Sequence, residues 1–134
     1  MSFQDISKIA GSAMNAQSVR LNTVASNLAN ADAVAGSESA TYRARKPIFA
    51  TLMQNENGGQ VQVVDVVDSA EPLRKAYEPG HPMADQDGMV YYPNVNQVAE
   101  MTDMMSASRA FESNVEVLGR VKSMQQSLLK LGEG

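Results

Sequence analysis

Two long stretches of the chain repeat their apolar residues at helical spacing, while a shorter stretch between them alternates instead. In the first, Phe3, Ala10, Gln17, Val24 and Ala31 recur every seven residues, and Ser7, Met14, Leu21 and Leu28 form the interleaved series. This is a heptad seam, widened on one side by Ile6 and Ala13, and it predicts a helix over residues 3–31. Ser2, with Asp5 three positions on, reads as a capping box at the start. Such a helix is about 43 Å long at 1.5 Å per residue. Its seam mixes large side chains with Ala, Ser and Gln, so it is marginal alone and needs a partner helix.

The partner pattern lies at the other end. From Asn94 to Leu131 the stripe runs through Val98, Met101, Met104 or Met105, Ser108, Phe111, Val115 and Leu118, then Val121, Met124, Leu128 and Leu131. Pro93 signals the helix start, with Asn94 a candidate cap, and Gly132-Glu133-Gly134 ends it. Between the helices, residues 33–40 are small, polar and turn-rich. "TYRARKPIF" and "QVQVVDVVD" have strand composition and flank Asn57-Gly58-Gly59, a hairpin turn signal. Pro47 confines the first run to an edge or a bulge. "LRKAYEPGHP" and Met89 to Tyr92 add short extended runs. The predicted fold is mainly α with a small β insertion. Long N- and C-terminal helices (1–32 and 93–134) pair as a coiled-coil-like core, and a loop and antiparallel β-hairpin region (33–92) projects between them.

Composition narrows this further. There is no Trp, with three Phe and four Tyr against nine Met, so thin helix seams fit better than a thick aromatic core. A net charge of −4 and a pI near 4.9 argue against nucleic acid as a partner. The basic cluster Arg43-Ala44-Arg45-Lys46 reads first as a solvated strand edge and second as an anion contact. The chain has no cysteine, which excludes disulfides, thiolate metal sites and a Cys nucleophile. "MSFQDISKIAGSAM" lacks a basic region followed by an unbroken apolar run, so no secretory signal is expected, and no stretch has the apolar length of a membrane span.

Candidate chemistry is sparse. His81 is the one histidine, set between prolines and a glycine with no nucleophile beside it. Asp85-Gln86-Asp87-Gly88 resembles a fragment of a calcium loop but lacks the third acidic position and the bidentate glutamate, so a plain acidic turn is expected. No phosphate loop, nucleotide fingerprint, nucleophile elbow or zinc spacing appears. Neither an enzyme nor a cofactor is expected. More informative is the surplus of apolar or small residues off the narrowest stripes: Ala13, Ala16, Val19, Ala25 and Ala29 in the first helix, and Val117, Val121 and Met124 in the second. A two-helix hairpin buries one stripe per helix. The surplus, with the adaptable run "EMTDMMSAS", points to packing against neighbouring copies or relatives.

These residues carry a resemblance. "LNTVASNLANAD" (21–32), "YRARKPIF" (42–49) and "YEPGHPMADQDGMVYYPNVNQVAEMTDMMSASRAFESNVEVLGRVKSM" (77–124) are similar, in order, to the bacterial flagellar basal-body rod family, and most like its proximal-rod members. One departure is the longer "AVAGSESA" loop before Thr41-Tyr42, where many axial relatives place a glycine turn. The resemblance implies a structural subunit of a helical drive shaft in the periplasmic rod of the flagellar basal body. Its partners would be other copies of itself, other rod subunits and the flagellar type III export apparatus, which passes it without a cleaved signal. The rod's interface would be heterologous, with distinct donor and acceptor faces. On this reading Met14, Leu21, Val24 and Leu28 face Met101, Met104, Phe111, Val115 and Leu118, with Asn27, Asn30 and Asn114 as specificity contacts beside the seam. The rival readings are another axial subunit of the rod or hook type, a cytoplasmic helical adaptor or export chaperone, and a small hydrolase or metal protein using His81, Asp85 and Asp87.

Overall fold

The computed structural model describes residues 1–56 and 58–133. A first helix, α1 (Phe3–Ala29), starts at the expected box: the Ser2 hydroxyl accepts the Asp5 N–H at 3.2 Å and the Asp5 carboxylate accepts the Ser2 N–H at 2.8 Å. These bonds hold the Asp5 carboxyl below its ordinary pKa. The helix stops two residues short of the pattern, with Asn30 as its cap. The Asn30 side chain and its backbone N–H both donate to the Ser26 carbonyl, at 2.8 and 3.1 Å.

The second helix, α2 (Gln97–Glu133), runs antiparallel to α1: Arg20 of α1 meets Asp103, and Phe3 lies beside Leu128 and Leu129. It begins later than the sequence implies. Asn96 is the cap, its side chain accepting the Ala99 N–H at 3.1 Å and its carbonyl the Glu100 N–H at 3.0 Å. Asn94 is drawn elsewhere, into the base of the hairpin.

The buried stripe of α2 is also rotated from the expected one. Ala107 and Val121 are fully covered, and Glu100, Asp103, Ala110, Phe111, Asn114 and Leu118 are half-covered along the same row. Met101, Met104 and Val115, expected in the seam, are 52%, 37% and 46% exposed. The pattern followed the most apolar row, whereas close approach of two helices selects small residues such as Ala107 at the contact. On α1 the expected seam holds better: Val24 is buried, and Met14, Leu21 and Leu28 are half-buried.

The segment between the helices forms two small sheets. β1 (Arg45–Asn55) and β2 (Gly58–Asp68) pair antiparallel, from Arg45 opposite Asp68 to Asn55 opposite Gly58. The register shifts between Ile48 and Phe49, next to Pro47, in keeping with the bulge that the proline predicted. Asn57 of the expected turn lies outside the described residues, as does Gly134 of the expected tail. β3 (Arg74–Tyr77) and β4 (Met89–Tyr92) form a separate pair, which Ala35 joins by a single bridge to Tyr91. Gly88, with φ +76°, makes the turn into β4. A Cβ there would also sit 2.8 Å from the Tyr77 ring.

The hairpin does not project. It lies back along α1, so that α1 is covered by α2 on one side and by β1–β2 on another. Near its tip, the Val61 N–H donates to the Ser12 hydroxyl at 3.0 Å and Gly58 abuts the Ile9 side chain. Near its base, Asn27 bonds the backbone of Arg45. Ser12, Ala16, Thr23 and Asn27 share one row of α1 by their spacing. This row is short-chained, so the hairpin can approach closely: Ala16 and Asn27 are each 1% exposed.

Candidate assembly surface

What the chain leaves uncovered sets the surface available to partners. Among the described residues, α1 shows no strongly exposed large apolar side chain. α2 is the opposite. Val98, Met101 and Met105 form one outward row in its first half and Met124, Leu128 and Leu131 another in its second, every one more than half exposed. The outer side of the hairpin adds Ile48, Leu52 and Val64. The accessible surface is 8868 Å², where a compact monomer of this mass has about 6,800 Å². The excess is about the area of a specific protein interface.

Beside α2 the surface is concave. β1 and the first turns of α2 stand as walls, with Lys46, Pro47 and Phe49 on one side and Ala99, Asp103 and Ser106 on the other. Arg20, Thr23 and Val24 of α1 form the floor. An ion pair from Arg20 to Asp103 crosses it, and Arg20 also donates to Gln17 at 3.3 Å. Charge is unevenly spread along α2: Glu100, Asp103, Glu112 and Glu116 outnumber Arg109 in its first part, and Arg120, Lys122 and Lys130 outnumber Glu133 in the rest. Its exposed Arg120–Glu116 pair, at 2.7 Å, is a minor contributor.

The expected specificity asparagines part company. Asn27 is buried and internally satisfied: its Nδ2 donates to the Arg45 carbonyl at 2.9 Å, and its Oδ1 accepts the Arg45 N–H at 2.9 Å and the Tyr42 hydroxyl at 2.8 Å. Asn30 and Asn114 each donate to a carbonyl four residues back in their own helix, at 2.8 and 2.7 Å. Leu118 and Phe111 stay half-covered on the helix–helix side.

The residues of the rival catalytic reading are turn builders. His81 Nδ1 accepts the Met83 N–H at 3.0 Å, and Asp85 accepts the N–H groups of Asp87 and Met89 at 2.9 and 2.8 Å. Among the described residues, no group of three or more His, Asp or Glu is placed to hold a metal ion, and no helix is long and apolar enough to cross a membrane. Arg43 donates to the carbonyls of Ser69 and Glu71, at 3.3 and 3.2 Å, and so fixes a loop. Sequence reasoning missed Arg20 with Asp103, the small seam residue Ala107, and Asn94. The spacing of Ala107 and Ala110 on one face was a usable signal. Asn94 gave none, because its partners are distant backbone groups.

Comparison with known proteins fits this layout. The family model described as "Flagella basal body rod protein" matches residues 8–36, within α1 and the loop after it. The model for "Flagellar basal body rod FlgEFG protein C-terminal" matches residues 86–131, from the turn before β4 through most of α2. The flagellar basal-body rod protein FlgC of Escherichia coli O157:H7 is 49% identical over 134 residues, spanning 99% of this chain and 100% of the relative. The chain belongs to the FlgC family of flagellar basal-body rod proteins. FlgC of Salmonella typhimurium is 48% identical over the same span. FlgC of Borreliella burgdorferi is 35% identical over 94% of this chain and 95% of its own. Both family models fall mostly on the two helices. The FlgC assignment itself rests on similarity along the whole chain, the inserted β region included.

Proposed function

We propose that this chain is a structural subunit of the flagellar proximal rod, part of the helical shaft that transmits torque and surrounds the export channel, and that it has no catalytic role. The observation that carries the reading is end-to-end similarity to FlgC rod proteins. The large uncovered apolar area gives it a physical basis. Residues 1–32 and 93–134 act as the helical core, and 33–92 as the inserted region. Within the core, Met14, Leu21, Val24 and Leu28 hold the helix pair together. Met101, Met104 and Val115 face outward and meet neighbouring rod subunits, whether copies of this chain or relatives. Asn30 and Asn114 stiffen the helices beside these contacts. The chain works in the periplasmic part of the basal body and arrives through the type III apparatus without a cleaved signal.

The test is deletion of the gene from a motile host, followed by complementation. The expected result is loss of swimming and of rods in isolated basal bodies, restored by the intact chain. A motile deletion strain would overturn the reading. Leu21→Asp, which puts a charge in the helix seam, is expected to leave the chain exportable and the rod absent.

A further inference from the structure

A two-stranded sheet has two free edges and is marginal on its own in water. In this protein α1 covers part of each edge with one polar side chain: Asn27 on β1 at Arg45, and Ser12 on β2 at Val61. At the base the arrangement is denser. Asn27 presents its amide to both the N–H and the C=O of Arg45, at 2.9 Å each, as a neighbouring strand would. Asn94, three residues ahead of α2, accepts the N–H of Ala44 at 2.8 Å and donates to the Glu71 carbonyl at 2.8 Å. The Ala44 carbonyl takes the Ser69 N–H at 2.7 Å. The four backbone polar groups of Ala44 and Arg45 are thus held by Asn27 of α1, by Asn94 of the segment leading into α2, and by Ser69 just past the end of β2. Tyr42 completes the joint, its hydroxyl donating to Asn27 Oδ1 and lying 3.1 Å from Ser26 Oγ.

We propose that Asn27 and Asn94 are positioning residues that lock the β1–β2 hairpin to the helix pair in one orientation, and that rod assembly requires this locked orientation in addition to helix pairing. The inference rests on the rod-subunit reading. Its physical basis is leverage. The hairpin is eleven residues long in each strand, about 36 Å at 3.3 Å per residue, so a few degrees of freedom at Arg45 displaces its outer face by ångströms. The joint also sits directly before Lys46, Pro47 and Phe49, which wall the groove beside α2. Loosening it moves that wall away from Asp103 and Ser106.

The test uses the full chain in a deletion strain and two readings. One is swimming. The other is the yield of a short bis-maleimide cross-link between Ser12→Cys and Val61→Cys, introduced together into this cysteine-free chain, read on subunit recovered from cells and compared with the same cysteine pair on the unaltered joint. Swimming is scored without the cysteines, because Ser12 itself bonds Val61. Asn27→Ala and Asn94→Ala are each expected to lower the cross-link yield about tenfold and to abolish swimming. Asn22→Ala, an exposed asparagine of the same helix, is expected to change neither. Where Asn27→Ala subunit fails to accumulate, Tyr42→Phe, which removes one hydroxyl from the joint, decides on the same readings with a smaller expected fall. Unchanged yield with swimming lost, or reduced yield with normal swimming, overturns the joint. A deletion strain that swims overturns the rod reading itself, a result separable from the other two.

Discussion

At the scale of single residues, energy is concentrated where a backbone group has one possible partner. Removing the Asn27 side chain leaves the Arg45 N–H and C=O without the acceptor and donor built for them, in a site that is 1% exposed at Asn27. Each such loss costs about 1–3 kcal/mol. Asn27→Ala is therefore expected to shift the denaturation midpoint of the purified chain clearly, and Asn22→Ala hardly at all. Gly88 is a second such point: φ +76° and the nearby Tyr77 ring leave no room for a side chain. Gly88→Ala should lower stability by about 1–2 kcal/mol, visible as faster amide exchange along β3 and β4. The capping box gives a pH signature. The bonds from Ser2 lower the folded-state pKa of Asp5, so its contribution is complete above the ordinary aspartate range. It is lost as pH falls through the lowered value. A side-chain titration by NMR should find the Asp5 midpoint below that in Ser2→Ala, and amide protection in the first turn should fade with it.

At the scale of elements, α2 presents two stripes with different duties. Ala107, fully covered, sets how closely the helices approach. Ala107→Leu should cost about 1–3 kcal/mol through overpacking, read as a lower unfolding midpoint. The sequence carried the existence, order and type of the elements: heptads gave both helices, alternation gave the hairpin, and Ser2 with Asp5 gave a start. It did not carry the rotation of α2. Met101 and Val115 are more apolar than Ala107 and Asp103, so periodicity alone assigned the richer row to the inside. Where a chain keeps an apolar row on its surface, hydrophobicity alone does not distinguish inside from outside. Nor was the docking of the hairpin on α1 legible, because it depends on Ser12 and Asn27 bonding to backbone groups far along the chain. By spacing alone the asparagines of "SNLANAD" are seam neighbours; in the structure Asn27 holds a strand and Asn30 caps its own helix.

At the scale of the whole molecule, the two stripes make separable predictions. On the proposed reading, the exposed rows of α2 are the surface left for neighbouring subunits. Met101→Ser with Met105→Ser removes apolar surface at positions already 52% and 58% exposed. Fold stability should therefore change by less than about 0.5 kcal/mol, and far-ultraviolet circular dichroism should match the parent chain. Binding of a hydrophobic-surface dye should fall. In a deletion strain complemented with this variant, the subunit is expected to be exported at parental levels while isolated basal bodies lack complete rods. Leu21→Asp fails for the opposite reason: it strikes the inner seam, so it should lose helix signal as well as rods. Parental swimming by the double serine variant would mean that this row faces solvent in the rod and that the groove and hairpin carry the subunit contacts.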